Sequence, residues 1–128
     1  MSTFALVLLA LLNTIQEPKI AFTTVGAGAD SQVDSRFGRA QWVLIYDSAS
    51  DEWQAIDNSP AVAKRGAAGV GAASLLVRRG VKVVITGECG PKALSTLAAA
   101  GVKVYDGSGR TAKQALADYR VGRLREIK

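Results

Sequence analysis

Short apolar runs separated by turn residues predict five β-strands in this chain. Each run is four to six residues long and is bounded by Gly, Pro, Asp or Ser. The predicted strands span residues 19–23, 41–46, 52–57, 81–86 and 102–105. The fourth is apolar throughout except at Lys82 and its terminal Thr86, which is typical of a strand buried in a parallel sheet. A polar turn over residues 47–51 joins the second and third strands into a hairpin.

Apolar positions that recur every three or four residues predict three helices. They span residues 66–79, 91–100 and 111–119. Gly80 and Gly101 follow the first two helices as C-terminal caps, and Pro91 and Thr111 open the other two. The basic tail, residues 120–128, is expected to be frayed.

The order of these elements predicts an α/β fold with one mixed sheet. Right-handed crossovers place the fourth and fifth strands parallel to the first, and the hairpin continues the sheet on the other side. The expected strand order is 3-2-1-4-5, with three helices. In such sheets a ligand binds beyond the carboxyl ends of the strands, where the strand order reverses. Here that crevice falls between the first and fourth strands.

The turn after the fourth strand is the strongest candidate for binding chemistry. It runs from Gly87 to Gly90, and Pro91 then starts a helix whose first amides have no partner within the helix. Such amides bind anions. The turn also holds Cys89, the only cysteine of the chain, and Lys92 follows closely. We therefore expect an anion site with one soft metal ligand beside it.

Two further segments are expected to close this crevice. The end of the first strand, from Thr23 and Thr24 to Val25, should lie next to the turn, and the loop over residues 24–34, which contains Gly26, should be flexible. Arg36 and Arg39 lie on the segment that closes over both. Ion pairs of these arginines with Asp34 or Asp30 are the structural alternative to a binding role.

Composition narrows the chemistry further. The chain has 128 residues, enough for one domain, and its net charge of +5 is independent of histidine because it has none. The excess of positive charge favours an anionic partner, although a role in keeping the protein soluble explains the excess equally well. A single cysteine excludes an intramolecular disulfide and makes the cytoplasm the default location. A protein-ligated zinc or iron–sulfur site needs about four Cys or His side chains, so a bound metal must bring most of its ligands.

The first 18 residues are an apolar extension, and residues 19–128 form the predicted binding domain. The apolar run is shorter than the roughly 20 residues that a bilayer requires, so no membrane association is expected. It also lacks the basic residue that precedes the apolar core of a signal peptide. We expect it to pack on its own domain or on a second copy, giving a monomer or a weak homodimer.

An ordered set of motifs resembles the dinitrogenase iron–molybdenum cofactor-binding family, which includes nitrogenase cofactor carriers and the orange protein of sulfate reducers. The motifs lie at residues 33–40, at Asn58 with the glycine-rich stretch 66–71, and at residues 87–93 and 100–105. The resemblance covers about residues 19–124. It implies a ribonuclease H-like fold, non-covalent binding of a metal–sulfur cluster and no catalysis.

Two positions depart from the pattern of the family. Its members commonly carry a histidine just before the Phe-Gly-Arg motif and often another near the glycine-rich stretch, where this chain has Arg36 and Arg65. Ligation through histidine therefore does not transfer to this chain. Cys89 stands where relatives often have an apolar residue; it is a candidate metal ligand, with a buried inert thiol as the alternative.

The expected ligand is an anionic molybdenum-containing metal–sulfur cluster, with a molybdenum–copper sulfide favoured over one resembling the iron–molybdenum cofactor. Positive charge and amide donors would hold it, and a protein that receives the cluster would be a second partner. The predicted cofactor-binding residues are Thr23, Thr24, Val25, Gly26, Arg36, Phe37, Gly38, Arg39, Lys64, Arg65, Gly87, Glu88, Gly90 and Lys92, with Cys89 at the metal.

Two other functions compete with cluster binding. A nuclease on such a sheet needs carboxylates on its central strands to hold metal ions, and residues 20–23 and 83–86 contain none. Binding of nucleic acid is therefore disfavoured. A phosphate- or nucleotide-binding module could use the same amides and cations, but the chain has no P-loop pattern. Trp42 and Trp53 on the hairpin are expected to serve packing.

Overall fold

The computed structural model describes residues 18–59 and 68–128. The predictions for residues 1–17 and 60–67, including the apolar extension, Lys64 and Arg65, lie outside the described residues. The elements are β1 (Lys19–Thr24), β2 (Trp42–Asp47), β3 (Glu52–Asp57), α1 (Ala68–Arg78), β4 (Val81–Thr86), α2 (Pro91–Ala99), β5 (Lys103–Asp106), α3 (Ala112–Arg120) and β6 (Arg125–Ile127). No helix in this described part is long and apolar enough to cross a membrane.

The strands form one mixed sheet in the order β3-β2-β1-β4-β5-β6. β1 pairs antiparallel with β2 and parallel with β4, and β4 pairs parallel with β5. The α/β class and the predicted order of the first five strands are confirmed. The predicted number of strands is wrong, because β6 adds an antiparallel strand beyond β5.

β6 forms in the tail that was expected to be frayed. Leu124 is buried just before the strand, and Ile127 packs against the core on one face of the sheet. The guanidinium of Arg125 lies 3.3 Å from the carboxylate of Asp106 on the neighbouring strand. A strand of three residues with two charged side chains has no alternating pattern, so tertiary contacts alone select it.

The apolar side chains divide between the two faces of the sheet, as the alternation of a β-strand requires. Val43 and Val84 face α1 and α2, where they pack with Leu76 and Leu97. The other face packs against α3 through a cluster that includes Phe22, Leu44, Ile85 and Leu116. Both faces of the central strands are therefore covered.

A polar network fastens the hairpin to α3 on the second face. The buried hydroxyl of Tyr46 donates to the carboxylate of Asp51 (2.5 Å) and accepts from the guanidinium of Arg120 (2.9 Å). The bond to Asp51, followed by burial, raises the pKa of Tyr46. Trp53 packs against Tyr46 and Phe22, so its predicted packing role is confirmed.

Candidate functional site

A short segment of the chain lies across the carboxyl ends of β1 and β4. We call this segment, residues 34–37, the strap. The amide of Asp34 donates to the carbonyl of Thr23 (2.8 Å), and the amide of Gly87 donates to the carbonyl of Asp34 (3.2 Å). The strap is therefore bonded to both strands at the point where the strand order reverses. The crevice in which a ligand was expected is spanned by the chain itself.

The second half of the strap pairs with the residue that follows Gly87. The amide of Glu88 donates to the carbonyl of Ser35 (2.6 Å), and the amide of Phe37 donates to the carbonyl of Glu88 (2.7 Å). The amides of Gly87 and Glu88, which were expected to hold an anion, are thus already bonded. Within this turn, amide donors for a ligand therefore have to come from the residues after Glu88.

Gly87 permits the close approach of the strap. A Cβ at this position would lie 2.5 Å from both the Cα and the carbonyl oxygen of Ser35, which are backbone atoms. No side-chain rotation relieves such a contact, so only glycine fits here without movement of the chain. The glycine of this turn serves close packing of two backbone segments.

Two buried threonines lie beneath the strap. The hydroxyl oxygens of Thr23 and Thr86 are 2.6 Å apart and both side chains are buried. Thr24 is also buried, and its hydroxyl donates to the carbonyl of Gly26 (2.7 Å). Each hydroxyl is satisfied internally, so Thr23 and Thr24 position the strap and the loop, and neither offers a free donor to a ligand.

The loop after β1 is bonded to α3. The amide of Ala112 donates to the carbonyl of Ser31 (2.9 Å), and that of Lys113 donates to the carbonyl of Ala29 (3.0 Å). These bonds satisfy amides in the first turn of α3, where Thr111 also forms the capping box with Gln114. The loop that was expected to be flexible is therefore fastened to the face of the sheet that carries α3.

A cavity of about 390 Å³ lies beside the strap, at the amino-terminal ends of α1 and α2. It combines two exposed cations with an apolar wall. Its lining residues are Phe37, Arg39, Gly69, Val70, Gly90, Pro91, Lys92 and Ala93. The structure thus brings four of the predicted site residues, Phe37, Arg39, Gly90 and Lys92, to one cavity.

The first turn of α2 supplies amide donors at this cavity. Gly90 is the N-cap, in an extended conformation and without a side-chain cap, and Pro91 occupies the first turn. Among the described residues, no acceptor contacts the amides of Lys92 and Ala93. The partial positive charge of the helix end adds to that of the Lys92 ammonium. The amides at the start of α2 thus stay available to an anion, whereas those of Gly87 and Glu88 are bonded to the strap.

The Phe37-Gly38-Arg39 sequence turns the chain from the core to the surface. Phe37 is buried against α1 and α2, Gly38 has a φ of 83°, and Arg39 is exposed. A positive φ favours glycine, because other residues place Cβ against the backbone there. This motif explains how one apolar and one cationic side chain reach the same cavity.

Asn58 fastens the far end of this turn, a role that sequence reasoning did not assign. Its side chain is only 2% exposed, and its amide nitrogen donates to the carbonyls of Ala40 (2.9 Å) and Gly38 (3.3 Å). Within residues 18–59 and 68–128, its Oδ1 has no hydrogen-bond partner. Asn58 was noticed in the sequence as part of a motif, but only the fold brings it to Gly38.

Arg36 lies on the strap and outside the cavity. Its guanidinium Nε is 3.9 Å from the carboxylate of Asp34, and its side chain is 62% exposed. An ion pair this long and exposed contributes little stability. Asp30, the other predicted partner, instead lies 3.8 Å from the ammonium of Lys113. The predicted pairing with Asp34 is present, in a weak form.

Cys89 is half-buried and packs against the core formed with α1 and α2. Burial raises the pKa of its thiol to about 11. The thiolate is the form that binds metal, so burial opposes ligation at neutral pH. In the described ranges, 18–59 and 68–128, no three His, Cys, Asp or Glu side chains come together as a metal cage. The donor set fits an anion that already carries its own ligands.

The remaining predicted site residues lie elsewhere. Val25 is 56% exposed on the loop near α3, with Gly26 beside it. Neither Val25 nor Gly26 lines the cavity, and the same holds for Cys89 and Glu88. The structure therefore divides the predicted residues into those of the cavity and those of the strap and loop.

Comparison with known proteins identifies relatives of similar sequence and fold. The apo form of the orange protein from Desulfovibrio gigas is 37% identical, with a TM-score of 0.82 over 86% of this chain and 92% of that one. A Thermotoga protein described as a candidate NifB protein is 35% identical, with a TM-score of 0.77 over 86% and 93%. No curated protein sequence matches this chain.

More distant structures share the fold alone. A candidate dinitrogenase from Methanocaldococcus jannaschii is 14% identical, with a TM-score of 0.66 over 90% of this chain and 98% of that one.

The sequence profile described as dinitrogenase iron-molybdenum cofactor matches residues 18–122. This match spans most of the chain, and it confirms the resemblance seen in the motifs. The chain belongs to the dinitrogenase iron–molybdenum cofactor family.

Proposed function

We propose that this protein binds and carries an anionic molybdenum-containing metal–sulfur cluster at the cavity beside α2, without catalysing a reaction. The observation that carries the proposal is the combination of two exposed cations, Arg39 and Lys92, with an apolar wall in a cavity of about 390 Å³. The family supports a role in handling the cofactor. The cluster is the cargo of the protein.

The chemistry of the cavity suits a sulfide-rich anion. Sulfide ligands are soft and weakly hydrated, so they tolerate contact with Phe37, Val70 and Pro91, whereas the net negative charge is attracted by Arg39 and Lys92. The ammonium of Lys92 lies in the first turn of α2, where the helix dipole disfavours a cation. A bound anion removes that conflict.

The cargo must bring its own ligands. The described residues offer no metal cage, and the chain has no histidine at all. Cys89 lies outside the cavity lining and has a raised pKa. We therefore favour a molybdenum–copper sulfide, in which sulfide completes the coordination of both metals. Storage in the cytoplasm and transfer to a recipient protein complete the proposed role.

Anaerobic reconstitution tests the proposal. The apo-protein is mixed with tetrathiomolybdate and Cu(I), and bound metal is measured by visible absorbance and metal analysis after gel filtration. We expect coloured protein with a fixed ratio of molybdenum to copper. Replacing both Arg39 and Lys92 by Ala should weaken uptake about tenfold at low salt. The difference between variant and wild type should become smaller at high salt, because salt screens the attraction between the cluster and these two cations in the wild type.

A matched control removes the same charge at the other end of the sheet. The pair Lys82→Ala and Lys103→Ala should leave uptake unchanged, because both side chains lie at the amino ends of their strands. Cys89→Ser should also bind normally. Failure of any colour to stay with the folded protein rejects cluster binding. Saturable binding of phosphate or ADP at Arg39 and Lys92, without thiomolybdate retention, would favour the phosphate-binding alternative.

A further inference from the structure

The two edge strands of the sheet differ in how well each is protected from pairing with a further strand. β6 has three residues, so it offers only a short row of main-chain groups. β3 has six residues, pairs with β2 in an unbroken register and contains neither Pro nor Lys. Short length, bulges, proline and lysine are the usual features that keep an edge from pairing. Among the described strands, β3 is therefore the edge that an added strand can join.

The main chain of β3 has hydrogen-bonding groups available on its outer side. In an antiparallel pair, alternate residues direct their N–H and C=O groups towards the neighbouring strand, and the others direct them away from it. Because β2 is the only described neighbour of β3, the second set of groups points out of the sheet. The exposed side chains of the strand are those of Glu52, Gln54, Ala55 and Asp57.

The hairpin that ends in β3 is acidic, although the chain as a whole is basic. In a chain with a net charge of +5, residues 40–59 contain no Lys or Arg. Their acidic residues are Asp47, Asp51, Glu52 and Asp57. Across the described part of the chain, none of these four carboxylates forms an ion pair within 4.0 Å. Asp47 lies opposite Lys19 on β1, and Asp51 accepts a hydrogen bond from Tyr46.

The carboxylates of Glu52 and Asp57 lie at the two ends of β3 and have different surroundings. On the face of α1 and α2, Lys19 and Arg79 line one cavity together with Glu52, and their positive charge offsets part of its negative charge. Asp57 lies on the opposite face, because strand side chains alternate. Hydrogen bonds from the hydroxyl (2.6 Å) and the amide (2.8 Å) of Ser59 lower the pKa of Asp57. Asp57 is therefore ionised at neutral pH.

Charge distinguishes between the strands that could pair with this edge. Two copies of β3 would bring Glu52 and Asp57 of both chains to one seam, and neither strand carries a cation. An extended basic segment would bring the opposite charge. Since an added strand lies in the plane of the sheet, its alternate side chains reach both faces. Two cations spaced like Glu52 and Asp57 would each lie beside one carboxylate, on its own face.

We propose that β3 is a docking edge for an extended basic segment of a partner protein, which pairs with it as an additional antiparallel strand. Main-chain hydrogen bonds would provide the pairing, and the carboxylates at the ends would select a basic sequence. The edge shares no residue with the cavity beside α2. Docking here therefore does not depend on which ligand that cavity binds.

The test uses a capped peptide of sequence Lys-Val-Thr-Val-Thr-Lys, titrated into isotope-labelled protein and followed by the amide chemical shifts. Its two lysines have the spacing of Glu52 and Asp57. We expect shift changes confined to β3 and β2, and slower hydrogen exchange of the outer amides of β3. Two further peptides carry N-methyl groups on one or the other set of alternate residues. The peptide whose methyl groups face β3 should bind at least about tenfold more weakly than the other, because it cannot form the hydrogen bonds.

Substitutions separate the contribution of the two carboxylates. Glu52→Gln with Asp57→Asn should weaken binding of the unmodified peptide about fivefold at low salt. Asp57→Asn should account for the larger part, since Lys19 and Arg79 lie near Glu52. Asn keeps an oxygen that can accept the bonds from Ser59, and circular dichroism verifies folding.

A matched control removes the same charge away from the hairpin. Asp30→Asn with Glu126→Gln should change binding less than about twofold. Thiomolybdate uptake, measured in parallel, should be the same for both double variants and the wild type, so a failure of cluster binding is recorded separately.

Four results would overturn the proposal. Equal binding of the two methylated peptides would show that no strand is added. Equal losses in the two double variants would show attraction to net charge only. Shift changes centred on β6 would assign the peptide to the other edge. A dimer in sedimentation, with the outer amides of β3 protected from exchange, would assign the edge to a second copy of this chain.

Discussion

The two ends of the sheet carry positive charge in different settings. Beyond the carboxyl ends, Arg39 and Lys92 flank a cavity with an apolar wall and with helix amides that have no partner among the described residues. At the amino ends, Lys19 and Lys103 are exposed, and strand alternation places them on opposite faces of the sheet. The first arrangement suits a compact anion that is partly dehydrated, whereas the second leaves the charges in contact with water.

The two ends also differ in what fixes their shape. Backbone hydrogen bonds and the contact of Gly87 with Ser35 hold the strap in place. At the amino ends, the exposed lysines are arranged by strand register alone. Substitutions at the two ends should therefore have opposite effects on stability.

The largest expected effect is that of Gly87→Ala. The new Cβ would lie 2.5 Å from the backbone of Ser35, so the strap must move, and we expect the free energy of unfolding to fall by about 2–4 kcal/mol in urea denaturation. Gly28→Ala is the control, since no atom lies within 4 Å of its added Cβ. It should change stability by less than about 0.5 kcal/mol. Equal effects of the two would contradict a rigid strap.

An intermediate effect concerns Cys89. Burial raises the pKa of its thiol from 9.0 to about 11. The thiolate is the reactive form, so at pH 8 iodoacetamide should alkylate the native protein about 100-fold more slowly than the urea-unfolded chain, and the rate should rise up to about pH 11. A Cys89→Ser, Lys113→Cys variant provides an exposed thiol for comparison. If Cys89 reacts at the rate of that exposed thiol, the thiol is accessible and its exclusion from the site is wrong.

The smallest expected effect is a gain in stability. Lys103 lies opposite Lys128, because Val104 pairs with Ile127 on the neighbouring strand. Lys103→Gln removes this pair of like charges, and we expect the free energy of unfolding to rise by about 0.3–0.5 kcal/mol at low ionic strength. The gain should vanish in concentrated salt, where the repulsion is screened. Lys113→Gln, which breaks the contact with Asp30, should show no gain. A loss of stability in Lys103→Gln would mean that Lys103 and Lys128 do not repel each other.

The sequence was sufficient for much of the framework. Apolar runs place β3 and β4 at their observed bounds, and Pro91 and Thr111 mark the starts of α2 and α3. These signals are local, because propensity, capping and alternation act within a few residues. The strand order followed from the handedness of the crossovers and agrees with the sheet in its first five strands.

The sequence was not sufficient for the strap and for β6. The strap is held by main-chain groups of residues 34–37, and hydrogen bonds of the main chain leave no side-chain pattern to detect. For the same reason the amides of Gly87 and Glu88 appeared to be free. The grouping of Phe37, Arg39 and Lys92 depends on a positive φ at Gly38, which the motif allows but does not require.

The strap also has a kinetic consequence. β1 and β4 are linked through it by backbone bonds on both sides, so separating them requires breaking several bonds at once. Opening of that kind is slow and approaches global unfolding in free energy. The cavity, in contrast, lies outside the seam between these strands. The rate at which a bound anion exchanges would thus be limited by dissociation of the anion and not by local opening of the sheet.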